Sequence, residues 1–512
     1  MRKWILLLVP VLVLSLLVPA HAGPKMKYVP FLDRYVPADV LNMEVVAMDS
    51  SFEQFGVPAA REMFGVTGKG VKVCVVDTGI DPTHEQIAPR NIRFFDAING
   101  FAEPYDDHGH GTHVAAIVAG DGVGEYGPTS ESFEYRGVAP KAKLFAAKVL
   151  ASNGSGTLEQ VLSGIQWCAE RPKVDIITLS IGTRIPWSPV EYGPDIMAEA
   201  LDRSVVEYGK VVTVAAGNLG DAGGSISSPG SSTQAITVGA FADWTPTWPP
   251  EENADYSSGP YVAPFSGRGG QVDRPGAPYL EKPDVVAPGT TITSAAAGTV
   301  NGYVTMSGTS MATPFIAGVA ALIIEQNPSI TPPQVKEILH QTAIDAGPPG
   351  WDADYGWGIV DAQGALGGPP VDFFPHETVT GSVGIGETWS YDFTVNDASV
   401  PVSATAIVQN GGLVGGSGDV PNPDDPWLDP WFWSPPIEMW LTYPDDTVIR
   451  YVECPVGVVD RFRSLMCRSQ VVGWNTPGHP PVSGVYTVSV VVDPMWMVIH
   501  DRADFTVDIW HG

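Results

Sequence analysis

At 512 residues the chain is too long for one core, and its length points to two or three domains. Acids outnumber bases 57 to 28, a formal charge of −29, which excludes a nucleic-acid binder needing a basic face and disfavours an anionic membrane surface. With 44% hydrophobic residues, disorder is not the expectation.

The first residues read as an export signal. Arg2-Lys3 supplies the positive start, Trp4 to Val18 an almost unbroken apolar run, and Ala20-His21-Ala22 a small-x-small cleavage site. The run spans about 15 residues, short of the roughly 20 that a membrane-spanning helix needs. Residues 1–22 are therefore expected to leave as a signal peptide, with the mature chain starting near Gly23. No Cys follows the run to carry a lipid, and no later stretch reads as long and apolar enough to span. Residues 23–50 form a short extension.

From 51 to 368, apolar runs alternate with helical patterns. A first helix is expected near Phe52–Phe64. Val71–Val76, Lys143–Leu150, Val174–Ser180, Val211–Ala216 and Ala235–Gly239 read as buried strands, continuous in Val, Ile, Leu and Ala. Thr157–Glu170, Pro194–Tyr208 and Thr309–Gln326 read as helices. This alternation predicts an α/β domain with a doubly wound parallel sheet, where ligands bind outside the carboxyl ends of the strands. Asp77 stands at such an end.

A break comes at Gly367-Gly368-Pro369-Pro370. Thr388–Val395, Val402–Val408, Glu438–Tyr443, Thr447–Val452 and Gly484–Val492 then alternate apolar and polar residues, with Asp445-Asp446 as a hairpin turn. Residues 371–512 are expected to form a small antiparallel β-sandwich. Pro421–Pro436, rich in Trp and Pro, reads as a long loop covering one end of it, the other reading being an aromatic surface that grips protein or carbohydrate. Four cysteines suit an exported, disulfide-permissive protein. Cys454 and Cys467, close in sequence, are expected to pair, whereas for Cys74 and Cys168 buried thiols and a bridge both stay open.

Three motifs carry chemistry. Asp77 lies in Val75-Val76-Asp77-Thr78-Gly79, His110 opens His110-Gly111-Thr112-His113, and Ser310 lies in Ser307-Gly308-Thr309-Ser310-Met311-Ala312. A Ser hydroxyl needs a base to take its proton, and the base needs an orienter. Each motif alone has a plainer reading. Ser310 could cap a helix, Asp77 could form a turn beside Gly79, and His108, His110 and His113 could hold a metal, though no nearby Cys or Glu completes a set. In the order Asp, His, Ser, and with these flanking residues, the chain resembles the subtilisin-like serine proteases, the subtilases, over roughly residues 55 to 366.

The resemblance implies that Ser310 is the nucleophile, His110 the general base and Asp77 its orienter. It implies that Asn218, after Ala215-Ala216-Gly217, donates its amide to the oxyanion, with the Ser310 N–H as second donor. His113 becomes a packed helix residue, while Asp81 and Asp107 are expected to be surface or turn residues. Gly154-Ser155-Gly156 and Ser180-Ile181-Gly182 become walls between which an extended peptide adds as a strand. They hold no acid, so an apolar or aromatic P1 side chain is expected. The implied protein is an extracellular, monomeric endopeptidase acting on polypeptides, with no catalytic cofactor.

Two departures from the family stand out. Residues 23–50 are too few for the folded propeptide many subtilases carry. Structural Ca²⁺ is common in the family, yet one usual ligand position is Gln86 here. Asp121, Glu125, Glu131 and Glu134 in a long loop offer oxygen ligands or merely an acidic surface. Three rivals are weaker. A catalytically silent subtilase scaffold would be expected to lack Ser310, His110 or Asn218, a sedolisin-type peptidase would carry Glu in place of His110, and an esterase would not need the peptide walls.

Overall fold

The computed structural model describes residues 26–29, 34–37, 54–88, 90–122, 135–183, 195–220, 225–242, 261–269, 281–371, 376–384, 386–396, 402–408, 437–450, 469–473, 483–492 and 502–511. The chain divides into two units, Met1–Val46 and Ala47–Gly512. In the first, β1 (Met26–Val29) and β2 (Arg34–Pro37) form an antiparallel hairpin with Met26 opposite Pro37.

The second unit opens with α1 (Val57–Phe64), which has a proline in its first turn. In chain order follow β3 (Lys72–Asp77), β4 (Arg93–Asp96), α2 (His110–Ala119), β5 (Lys143–Lys148), α3 (Leu158–Ala169), β6 (Ile176–Leu179), α4 (Ile196–Val206), β7 (Val211–Ala215), β8 (Ile236–Ala242), β9 (Tyr261–Val262) and β10 (Val285–Pro288). The strands lie in the order β10-β8-β7-β6-β3-β5-β4, all pairs parallel, with β9 antiparallel to β8. Strand β3 sits between β6 and β5, so Asp77 emerges at the middle of the carboxyl edge.

Both faces of the sheet are covered, which is why its strands read as unbroken apolar runs. Val73 and Val75 point to the layer of α2, while Cys74 and Val76 point to α3 and α4. Helix α3 starts on a capping box, in which the Thr157 side chain accepts from Gln160 N and the Gln160 side chain accepts from Thr157 N. Cys74 and Cys168, both fully buried, are joined by a disulfide that ties β3 to α3. That resolves the pairing left open by the sequence; Cys454, Cys467 and Pro421–Pro436 lie outside the described residues.

A hairpin of β11 (Ile292–Ala295) and β12 (Tyr303–Met306) leads into α5 (Thr309–Gln326), followed by α6 (Pro332–Thr342). The expectation that no later stretch is long and apolar enough to span a membrane is corrected by α5, which passes that test. It is 78% buried within the fold, as a core helix is. The sequence did not predict β4, β9 to β12 or α6. Strands of two to four residues fall below a readable period, and β4 and β12 are partly exposed.

Residues beyond 371 add two four-stranded antiparallel sheets. One has the order β13 (His376–Gly384), β20 (Arg502–Trp510), β15 (Ser403–Val408), β18 (Ser469–Gly473), and the other β14 (Thr388–Val395), β19 (Gly484–Val492), β16 (Ile437–Thr442), β17 (Val448–Arg450). Val383, Ala404 and Phe505 of the first share one core with Phe393, Met439 and Tyr486 of the second. Asp446 turns between β16 and β17 in the left-handed region, φ 66°, a conformation Asp tolerates.

Candidate active site

Asp77 at the carboxyl end of β3 meets His110 at the start of α2, and Ser310 at the start of α5 meets Ser180 just past β6. Asp77, the last residue of β3, is 1% exposed in its side chain, and its Oδ1 lies 2.7 Å from Nδ1 of His110. The same oxygen accepts from Thr78 N at 2.7 Å. His110 stands at the first turn of α2 with its side chain 19% exposed. The close approach of β3 to α2 depends on Gly111, where a Cβ would run into the Gly79 carbonyl. Burial alone would lower the His110 pKa; the charge and hydrogen bond of Asp77, with Asp106 adding, raise it above its ordinary value.

Ser310 follows the first residue of α5. Its hydroxyl is turned to the Ser180 carbonyl at a long 3.4 Å, and the Ser180 hydroxyl donates to the Ser310 carbonyl at 2.7 Å. Pro314 explains why that carbonyl is free. It is the sixth residue of α5, and its missing N–H is the one that would have bonded the Ser310 carbonyl. The helix thus gives up one internal hydrogen bond and gains a tie to the Ser180 segment.

Asn218 lies three residues past the end of β7. Its Oδ1 accepts from Thr309 N and Thr309 Oγ1, both at 2.9 Å. Two donors on the oxygen fix which way the amide faces, so Nδ2 is left beside Gly308 as a free donor among the described residues.

The two wall segments keep backbone groups unused. In the first, Gly154 N donates to Ala151 O and Ser155 N to Asn153 Oδ1, while Ser155 O accepts from Ala151 N. The Gly154 carbonyl and the Gly156 N–H make no hydrogen bond among the described residues, and neither do the backbone groups of Gly182. Gly156 cannot be replaced cheaply, because a Cβ there would strike the Val149 carbonyl.

A model of the subtilase family matches residues 68–358. The chain belongs to the subtilase family. With that it is a serine-type endopeptidase. It is 41% identical over 355 residues to serine protease AprX of Bacillus subtilis, covering 64% of this chain and 74% of that protein. It is 34% identical over 308 residues to subtilisin Savinase of Lederbergia lenta, covering 60% of this chain and 94% of that protein. Among solved structures, a cold adapted subtilisin-like serine proteinase matches at 30% identity and a TM-score of 0.41, covering 58% of this chain and 88% of that one.

Asp81 is the turn residue expected rather than a surface one: it is 8% exposed, its Oδ1 accepts from Thr83 N and Oγ1, and its Oδ2 from Gly298 N. Asp107 is 39% exposed and bonds Lys148. His113 is packed as expected. Its Nε2 faces the carbonyls of Ile292 and Val304 at 3.1 and 3.0 Å, and burial, with His110 nearby, lowers its pKa to about 3, so it is neutral.

Asp106 went unnoticed in the sequence. Its carboxylate accepts from Thr78 Oγ1, Gly109 N, His108 N, Thr112 N and Thr112 Oγ1, which caps α2 and fixes the turn that delivers His110. Burial would raise its pKa, but these donors hold it below the ordinary value. An Asp shortly before Gly109 at the start of a predicted helix was the available signal.

Gln86 spends its side chain on the protein itself: its amide oxygen accepts from Gly122 N and its amide nitrogen donates to the Tyr303 hydroxyl. Burial lowers the pKa of neighbouring Arg90, and Asp121 opposes that with its charge. Glu125, Glu131 and Glu134 lie outside the described residues, and among the described residues no cluster of three metal-ligating side chains occurs.

Proposed function

We propose that Asp77, His110 and Ser310 are the catalytic triad of this endopeptidase, with Asn218 Nδ2 and the Ser310 N–H as the oxyanion hole. Ser310 attacks the scissile carbonyl, His110 takes the hydroxyl proton and later gives it to the leaving amine, and Asp77 holds the imidazole tautomer and its developing charge. An acyl-enzyme forms and water releases it. The observation that carries this reading is the 2.7 Å bond from His110 to a carboxylate that is itself buried. Among the described residues no hydrogen bond joins Ser310 to His110; the Ser310 hydroxyl has to turn from the Ser180 carbonyl to His110, a tightening common when substrate binds.

An extended peptide is read between Gly154–Gly156 and Ser180–Gly182, using the Gly154 carbonyl, the Gly156 N–H and the backbone of Gly182. The walls' lack of charge favours an apolar or aromatic P1 residue. Residues 1–22 export the protein, which acts outside the cell as a monomer on polypeptides without a catalytic cofactor. Residues 371–512 form a β-sandwich accessory domain, supported by two antiparallel sheets around one core.

The test is azocasein hydrolysis by the purified protein beside Ser310→Ala, with intact mass after a fluorophosphonate. Hydrolysis lost in the variant and one adduct on Ser310 support the reading. A folded wild type that neither hydrolyses nor takes up the probe leaves a silent scaffold as the answer.

A further inference from the structure

Lys148 ends β5 directly opposite Asp77, its partner across the parallel ladder. Its side chain is 0% exposed, although an ammonium is expensive to bury unless all its protons are matched. They are matched. Nζ donates to Thr78 O at 2.6 Å, to Leu150 O at 2.8 Å and to Asp107 Oδ1 at 2.5 Å, which uses its three donors, and the Tyr105 ring lies 5.0 Å from it. Each acceptor belongs to a different part of the site. Thr78 follows the proposed orienter Asp77, Leu150 leads into the wall at Gly154–Gly156, and Asp107 lies in the turn delivering His110. Backbone bonds from Val149 N and Leu150 N to Asp77 O, at 2.8 and 3.3 Å, reinforce the first of these joins.

We infer that Lys148 is a positioning residue that sets the spacing between the triad and the Gly154–Gly156 wall. The inference rests on the proposed triad and wall. An ammonium suits the task because it holds three convergent acceptors at one point. A planar guanidinium has a fixed fork and more bulk, and could not replace it there. A neutral side chain of similar length fills the space but leaves two carbonyls without donors, and the two segments are then free to drift apart. A displacement of about 1 Å at such a site can cost about 100-fold in rate.

The experiment compares two substrates in wild type, Lys148→Met and Asp107→Ala. A tetrapeptide anilide needs the wall, whereas p-nitrophenyl acetate is too small to reach it. Active-site titration with a fluorophosphonate counts competent molecules, and thermal unfolding reports folding. For Lys148→Met, the expected result is a peptide-to-ester ratio of kcat/KM, per titrated site, at least about 10-fold below wild type. A smaller fall of the same sign is expected for Asp107→Ala, which removes one anchor of three and decides the matter should Lys148→Met not fold. An unchanged ratio would overturn the inference, even where both rates fall with stability. A folded wild type that takes up no probe at Ser310 would sink the triad reading instead, and this inference with it.

Discussion

His110 is pulled in two directions. Burial disfavours its charged form, while Asp77 at 2.7 Å and the carboxylate of Asp106 favour it, and the balance raises its pKa above 6.5. A general base must be neutral, so activity should rise with pH through that raised pKa. The acid limb of kcat/KM is expected above the ordinary histidine value, and Asp106→Asn, which removes one raising charge, should shift it down. A pH–rate profile with its limb at or below 6.5 in the wild type would contradict the assignment. Asn218 makes a second prediction at this scale. Asn218→Ala should lower kcat by about 100- to 1,000-fold with little change in KM, the range known for loss of one such donor in a subtilisin. A mainly KM effect would mean that the amide serves ground-state binding.

Among the elements, β3 has the most at stake, since it carries Asp77 and is bonded to β5, to β6 and, through Cys74, to α3. The bridge closes a 94-residue separation. In the chain-entropy model a loop of that length stabilises by about 4–5 kcal/mol. Cys74→Ala with Cys168→Ala should therefore lower stability by about 2–5 kcal/mol, read as a lower denaturant midpoint with a steeper slope, because the unfolded chain is freed to expand. Because both sulfurs are fully buried, mild reductant on the folded protein should reproduce none of that loss. The bridge also marks what a sequence can convey. The buried strands and long helices were legible because both sheet faces are covered and their apolar runs are continuous. The motif residues were legible because catalysis fixes residue types. The disulfide was not, because pairing depends on which face of β3 meets α3. Asp106 and Lys148 were missed or passed over because their importance lies in converging hydrogen bonds, which join segments distant in sequence.

At the scale of the whole second unit, the last strand binds the two sheets beyond residue 371 to the rest. Trp510, at the end of β20, is fully buried and belongs to the same core as α5 and β8. Its ring lies 6.2 Å from Phe241 and stacks on His376 at 4.3 Å. Beside it the Tyr355 hydroxyl donates to Asp508 Oδ2 at 3.0 Å, and Thr378 Oγ1 donates to Oδ1 at 2.9 Å. Burial raises the pKa of Asp508, and these donors only partly offset that. A carboxylate in so dry a place belongs to a permanent contact rather than a passing one. Trp510→Ala should then act on the whole unit, lowering its stability by about 3–5 kcal/mol through lost burial and a cavity. The sign of a shared core would be one cooperative transition, shifted to lower denaturant whether followed by far-ultraviolet dichroism or by loss of azocasein hydrolysis. Should the variant lose only part of the dichroism while hydrolysis survives to the wild-type midpoint, the C-terminal sheets would be a separately folding attachment, and the stability of the catalytic part would not depend on them.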